Sequence, residues 1–96
     1  MTIEEIAKSA TPVFEAHDVS FAGLFGSRAR GDAGTTSDID FLVKFRTPKG
    51  LFEFVGLEQD LERILGCEVD VVTERGLHPA LKPEILRDLT PLYGER

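Results

Sequence analysis

The residues best suited to chemistry lie in "FGSRARGDAGTTSDIDFLV", residues 25–43. Asp38 and Asp40 stand two apart at the head of an apolar run that reads as a strand, so their side chains share one face, about 7 Å apart at Cα. Two like charges that close are unfavourable unless a cation lies between them. An oxygen-only pair suits Mg²⁺, which takes one or two carboxylates together with phosphates and water. Asp70 lies between Val69 and Val71, in a second strand-like segment, an expensive place for a carboxylate without a partner. If the two strands are neighbours, Asp70 completes a three-carboxylate cluster of the kind that two-metal phosphoryl transfer needs.

Gly26 and Ser27 directly follow another apolar run, and "SRAR" has enough helix propensity for one or two turns. A chain turning from strand into helix presents unpaired N–H groups, which form an anion site. Gly26 permits close approach of a phosphate, and the Ser27 hydroxyl and amide can donate to it. Arg28 and Arg30, two apart on a helix, point in different directions, so one of them reaches the ligand. Each piece alone is ordinary: a glycine-serine turn, a D-x-D on a strand edge, an aspartate facing water. Their combination is not. A P-loop needs Lys and then Ser or Thr after its second glycine, whereas Asp32 and Ala33 follow Gly31 here. An EF-hand needs a polar ligand where Leu42 stands. A haloacid-dehalogenase-like phosphatase carries its D-x-D at the far end of the strand.

These groups need elements to hold them. Ile3, Ile6, Ala7, Ala10, Val13 and Phe14 recur at helical spacing behind a Thr2–Glu5 capping box, and the helix should end before "HDVS". Pro12 predicts a kink, or a second start with Thr11 as N-cap. Residues 21–25 and 38–45 read as strands. "RTPKG", residues 46–50, reads as a turn. Leu51, Phe54, Leu57, Leu61, Ile64 and Leu65 mark the buried face of a second helix that Gly66 ends, with Glu58, Gln59, Glu62 and Arg63 on the other. "CEVDVVT", residues 67–73, reads as a third strand, and a short amphipathic stretch follows at 84–89. The order predicts an α/β (α+β) fold with helices on a small sheet. The loop between the first two strands, about a dozen residues, is long enough to be functional.

Ninety-six residues suit a single domain spanning 1–96. Eleven basic residues against seventeen acidic give a net charge of −6, a poor footprint for bulk nucleic-acid binding, so phosphate recognition must be local. The single cysteine, Cys67, excludes an intramolecular disulfide and reads as a small buried thiol. No run approaches the ~18 apolar residues of a membrane span, and the acidic start is unlike a signal peptide, which points to a cytoplasmic protein. His17 and His78 are expected at the surface. The sequence leaves Tyr93 open between a core role and a partner-facing one.

The G-S, D-x-D and distant-aspartate pattern resembles the polymerase-β-like nucleotidyltransferase superfamily. Within it, "FGSRARGDAGTTSDIDFLV" is similar to the minimal nucleotidyltransferases of prokaryotes, the MntA-type antitoxins encoded beside HEPN-domain toxins, over nearly the whole chain. The resemblance implies a small mixed β-sheet flanked by helices. It also implies transfer of AMP from ATP to a tyrosine hydroxyl of a HEPN toxin held in a hetero-oligomer, silencing its RNase activity. By the same resemblance Gly26, Ser27 and Arg30 hold nucleotide phosphates and Asp38 and Asp40 bind two Mg²⁺ ions, while Asp70 ligates one ion and helps activate the acceptor. The lack of an acceptor domain and the acidic balance fit a protein partner. The alternatives are an antitoxin that masks its toxin without catalysis, and a transferase acting on a small molecule or a tRNA end.

Overall fold

The computed structural model of the chain describes residues 2–26 and 39–96. Thr2 caps the first helix, α1 (Ile3–Ala16), as expected: its Oγ1 accepts from the Glu5 N–H at 3.1 Å and the Glu5 carboxylate accepts from the Thr2 N–H at 2.9 Å. The second start at Thr11 does not occur, and α1 runs uninterrupted through Pro12. A proline inside a helix costs about 3 kcal/mol. Ile6, Ala10 and Phe14, fully buried at four-residue spacing, anchor both sides of the proline to the same core and outweigh that cost.

Asp18, at φ +61, turns the chain into β1 (Val19–Phe25), which starts two residues earlier than the sequence suggests. β2 (Ile39–Phe45) runs antiparallel to it. Helix α2 (Leu51–Leu65) then crosses over, ended by Gly66 at φ +72, and returns the chain as β3 (Val69–Thr73), parallel to β2. β3 is two residues shorter at its start than "CEVDVVT" predicts. A short 3₁₀ turn (Glu74–Gly76) leads to α3 (Lys82–Asp88), the short helix expected from the amphipathic stretch at 84–89. The chain closes with β4 (Thr90–Gly94), a strand the sequence reading lacks. The mixed sheet has the order β3-β2-β1-β4. Pro91 is tolerated in β4 because that strand lies at the sheet edge, where a missing N–H breaks no central ladder.

One sheet face carries Val19, Ala22, Leu24, Ile39, Phe41, Val43, Val69 and Val71, which pack with Leu57, Leu61 and the α1 residues in one core. Phe14 meets Phe41 edge-on at 5.5 Å and Tyr93 at 5.6 Å between ring centroids, so Tyr93 belongs to that core. Phe21 and Leu42 are buried outside that cluster, and α3 lies against β1. Gly23 makes that approach possible, because a Cβ there would stand 2.8 Å from Leu89 Cδ1. Three expectations fail at the surface. Leu51 and Ile64, assigned to the buried face of α2, are 76% and 53% exposed. Cys67 is half-buried at the core margin. His17 is half-buried too, and its Nε2 lies 2.7 Å from Asp60 Oδ2, tying the end of α1 to α2.

Candidate functional site

The parallel register of β2 and β3 sets Asp40 directly opposite Asp70. Neighbouring strands lie about 4.8 Å apart, and in-register side chains leave the same face. Both carboxylates therefore emerge together, on the face opposite Ile39, Phe41, Val69 and Val71. Asp40 is half-buried and Asp70 exposed. The row continues across the sheet to Phe25, the antiparallel partner of Asp40, and Gly26 follows it. At φ +79 Gly26 adopts a conformation that L side chains rarely take, and a Cβ there would collide with Asp40 Oδ2. Glycine is thus required twice at this position, once for its backbone angle and once to leave room for the Asp40 carboxylate.

Of the residues singled out in the sequence, the structure brings together Gly26, Asp40 and Asp70. Ser27, Arg28, Arg30 and Asp38 lie outside the described residues. Among the described residues no three His, Cys, Asp or Glu side chains form a metal-sized group.

The sequence reading missed a third acid near this row. Glu58, on α2, has its carboxyl pushed above the usual range, first by burial and then by the charges of Glu62 and, more weakly, Asp70, while the Val71 amide offsets part of this. One turn on, Glu62 Oε2 accepts the Val69 N–H at 3.2 Å. That amide lies on the free edge of β3, which would otherwise offer donors to any passing strand. Two acids four residues apart beside a buried helical stripe were the available signal.

The opposite ends of the same two strands are different. Val43, Lys44, Phe45, Arg46, Thr47, Pro48, Lys49, Gly50, Leu51, Phe54, Thr73, Glu74 and Arg75 line a cleft of about 790 Å³. Asp18 fixes its wall, since its backbone carbonyl accepts the Arg46 N–H at 2.9 Å while its carboxylate accepts from the Thr47 hydroxyl at 2.9 Å and from Lys49 Nζ at 3.0 Å. Lys49 and Thr47, with a smaller effect of Arg46, hold the Asp18 carboxyl below the ordinary range.

The description of the nucleotidyltransferase domain family fits residues 2–92 of this sequence. The chain belongs to that family. It is 46% identical over 88 residues to a Methanocaldococcus jannaschii protein provisionally named a protein adenylyltransferase, covering 92% of this chain and 95% of that one. It is 37% identical over 93 residues to the protein adenylyltransferase MntA of Thermococcus cleftensis, covering 93% and 94%. The solved structure of a protein provisionally described as a minimal nucleotidyltransferase superposes with a TM-score of 0.80 at 37% identity, covering 96% of this nucleotidyltransferase and 97% of that chain. A Shewanella oneidensis complex of a tri-AMPylated HEPN toxin with its MNT antitoxin shares the fold at a TM-score of 0.76 and 20% identity, over 98% and 74%. The resemblance drawn from the motif and the fold it implied are borne out. No helix among the described residues is long and apolar enough to cross a membrane.

Proposed function

We propose that this nucleotidyltransferase uses Mg²⁺ and ATP to transfer AMP to a tyrosine hydroxyl of a HEPN-domain toxin, in a cytoplasmic hetero-oligomer, and thereby silences the toxin's RNase activity. The observation that carries the reading is the register of Asp40 on Asp70 beside Gly26. The names of the adenylyltransferase relatives and the AMPylated toxin in the distant complex support it.

The donor set fits the metal. Two carboxylates opposed across one strand spacing repel each other unless a cation joins them, and oxygen donors alone suit Mg²⁺. The bare backbone at Gly26 leaves Asp40 Oδ2 room that any side chain there would take. Asp38, Asp40 and Asp70 would hold two Mg²⁺ ions, whose bound charge would offset that of the phosphates and of the departing pyrophosphate. The protein's own groups do the rest. Gly26, Ser27 and Arg30 hold the phosphates of ATP at the end of β1. Asp40 is fixed by β2 and by its fit against Gly26, and Asp70, more exposed, faces the acceptor and takes up its hydroxyl proton. The acceptor oxygen attacks the α-phosphorus as the bond to the bridging oxygen breaks, and that oxygen leaves on pyrophosphate with the electron pair.

The test incubates the protein with ATP, Mg²⁺ and the HEPN-domain protein encoded beside it. Peptide mass spectrometry should find AMP on a tyrosine of the partner, and RNase activity should fall in step. Inhibition of the RNase without any modified residue would replace this reading with masking.

A further inference from the structure

The cleft at the carboxyl ends of β2 and β3 takes no part in the proposed chemistry. Asp40 and Lys44 lie four residues apart on β2, about 13 Å at strand rise, and leave the same face. The cleft is thus separate from the carboxylate row, with the buried Leu42 lying between the two on that face.

Its charge runs against that of the chain. In a protein of net charge −6, Lys44, Arg46, Lys49 and Arg75 line it against a single carboxylate, Glu74. Lys49 is engaged by Asp18. Glu74 is engaged from outside the cleft by Arg96 at 2.9 Å and Lys82 at 3.6 Å, and more weakly by the charge of Lys44 inside it. The local excess of positive charge therefore rests with Lys44, Arg46 and Arg75.

Beside it, continuing from Leu51 in its lining, the start of α2 is apolar where a surface should not be. At the start of α2, Leu51 is 76% and Phe52 93% exposed, and Val55 stands one turn on from them. These three fall within about 100° of the helix circumference, so they form one patch rather than scattered exposures. Exposed aromatic side chains beside arginines are the usual composition of protein-binding hot spots.

The geometry points to this cleft and rim as the surface that docks the acceptor protein, through a segment carrying carboxylates next to one or two apolar side chains. The carboxylates meet Lys44, Arg46 and Arg75, and the apolar side chains cover Leu51, Phe52 and Val55. This rests on the proposed function for the identity of the acceptor. It adds where that protein is held: about 13 Å from Asp40 along the strand, leaving the carboxylate row free for nucleotide and hydroxyl. An acidic occupant is favoured over a polynucleotide because the charge of the whole chain repels a polyanion while the patch beside the cations is aliphatic as well as aromatic.

Two readouts keep this separate from the function it rests on. Calorimetric titration with the full-length HEPN-domain protein, without ATP, reads docking, and mass spectrometry of the same partner with ATP and Mg²⁺ reads transfer. Phe52→Ser and the pair Lys44→Glu with Arg75→Glu alter exposed side chains, so folding should be unaffected. Each should weaken binding at least about tenfold and raise KM for the partner with kcat at saturation unchanged. Binding by wild type should also weaken as salt rises. Variants that bind as wild type overturn the docking surface while leaving the transfer intact, whereas wild-type binding without transfer overturns the function alone. Self-association of the chain that Phe52→Ser abolishes, or displacement of the partner by single-stranded RNA, would assign the surface to another occupant and overturn the proposal.

Discussion

The two ends of the β2–β3 pair are built from the same strands, yet they carry opposite charge. At the amino end Asp40 and Asp70 oppose each other against the bare backbone of Gly26. At the carboxyl end Lys44, Arg46, Lys49 and Arg75 surround an apolar cleft. A net charge of −6 describes neither. Under the proposed function the contrast would separate two tasks: a carboxylate site for the chemistry, and a surface where the acceptor is held.

The largest expected effect breaks the first task alone. Asp40→Asn or Asp70→Asn should reduce AMP transfer about a thousandfold or more, equivalent to about 4 kcal/mol of barrier. Partner affinity in the same titration should stay within about twofold, because neither residue touches the cleft. Gly26→Ala should come next. The left-handed φ and the collision with Asp40 Oδ2 must be relieved by moving the carboxylate, and a displacement near 1 Å at a reacting site costs about a hundredfold in rate. Initial-rate kinetics should show the loss in kcat while KM for the partner holds.

Asp18→Ala reaches the other end. It removes the two side-chain contacts, to Thr47 and Lys49, that pin the cleft wall, so partner affinity should fall by about a few-fold, since exposed contacts contribute little, with kcat unchanged. The smallest effect is on pH. Asp18, Asp60, Glu5 and Glu74 are all held below the ordinary carboxylate range, by Lys49, His17, Thr2 and Arg96 respectively. A depressed carboxyl contributes stability that is present above its unfolded value, around pH 4, and lost as the pH falls through its folded one. Glu58 is shifted the other way, so the small strain it adds is relieved as the pH falls from its raised value to the ordinary one, above the range in which the other four lose theirs. Thermal melts should show a net fall in Tm below about pH 4, shallow because the four depressed groups are solvent-exposed and screened.

Much of the site end was legible in the sequence because chemistry there is written in residue types. An aspartate between two valines inside a strand has few purposes, and it joins the D-x-D if the two strands are neighbours; its register with Asp40 comes from the structure alone. The cleft end was not legible. Lys44, Arg46 and Lys49 read as polar residues of a strand end and the turn "RTPKG", and only the return of β3 alongside β2 adds Arg75 to them. Leu51 and Ile64 satisfy helical periodicity, yet the crossover buries a narrower stripe of α2 than the pattern suggests, with Leu57, Leu61 and Leu65 at its centre. Pro12 and Pro91 misled in opposite ways. One sits in a helix whose packing overrides local propensity, and the other hid a strand whose edge position spares it the lost hydrogen bond.

The central claim is that the opposed aspartates perform AMP transfer to a protein. Intact-mass spectrometry of the HEPN-domain partner tests it, after incubation with ATP and Mg²⁺ and either the wild-type protein or the Asp40→Asn, Asp70→Asn double variant. The partner should gain the mass of AMP with wild type and none with the double variant, which should still bind it. A partner of unchanged mass after treatment with wild type, or equal modification by the double variant, would contradict it.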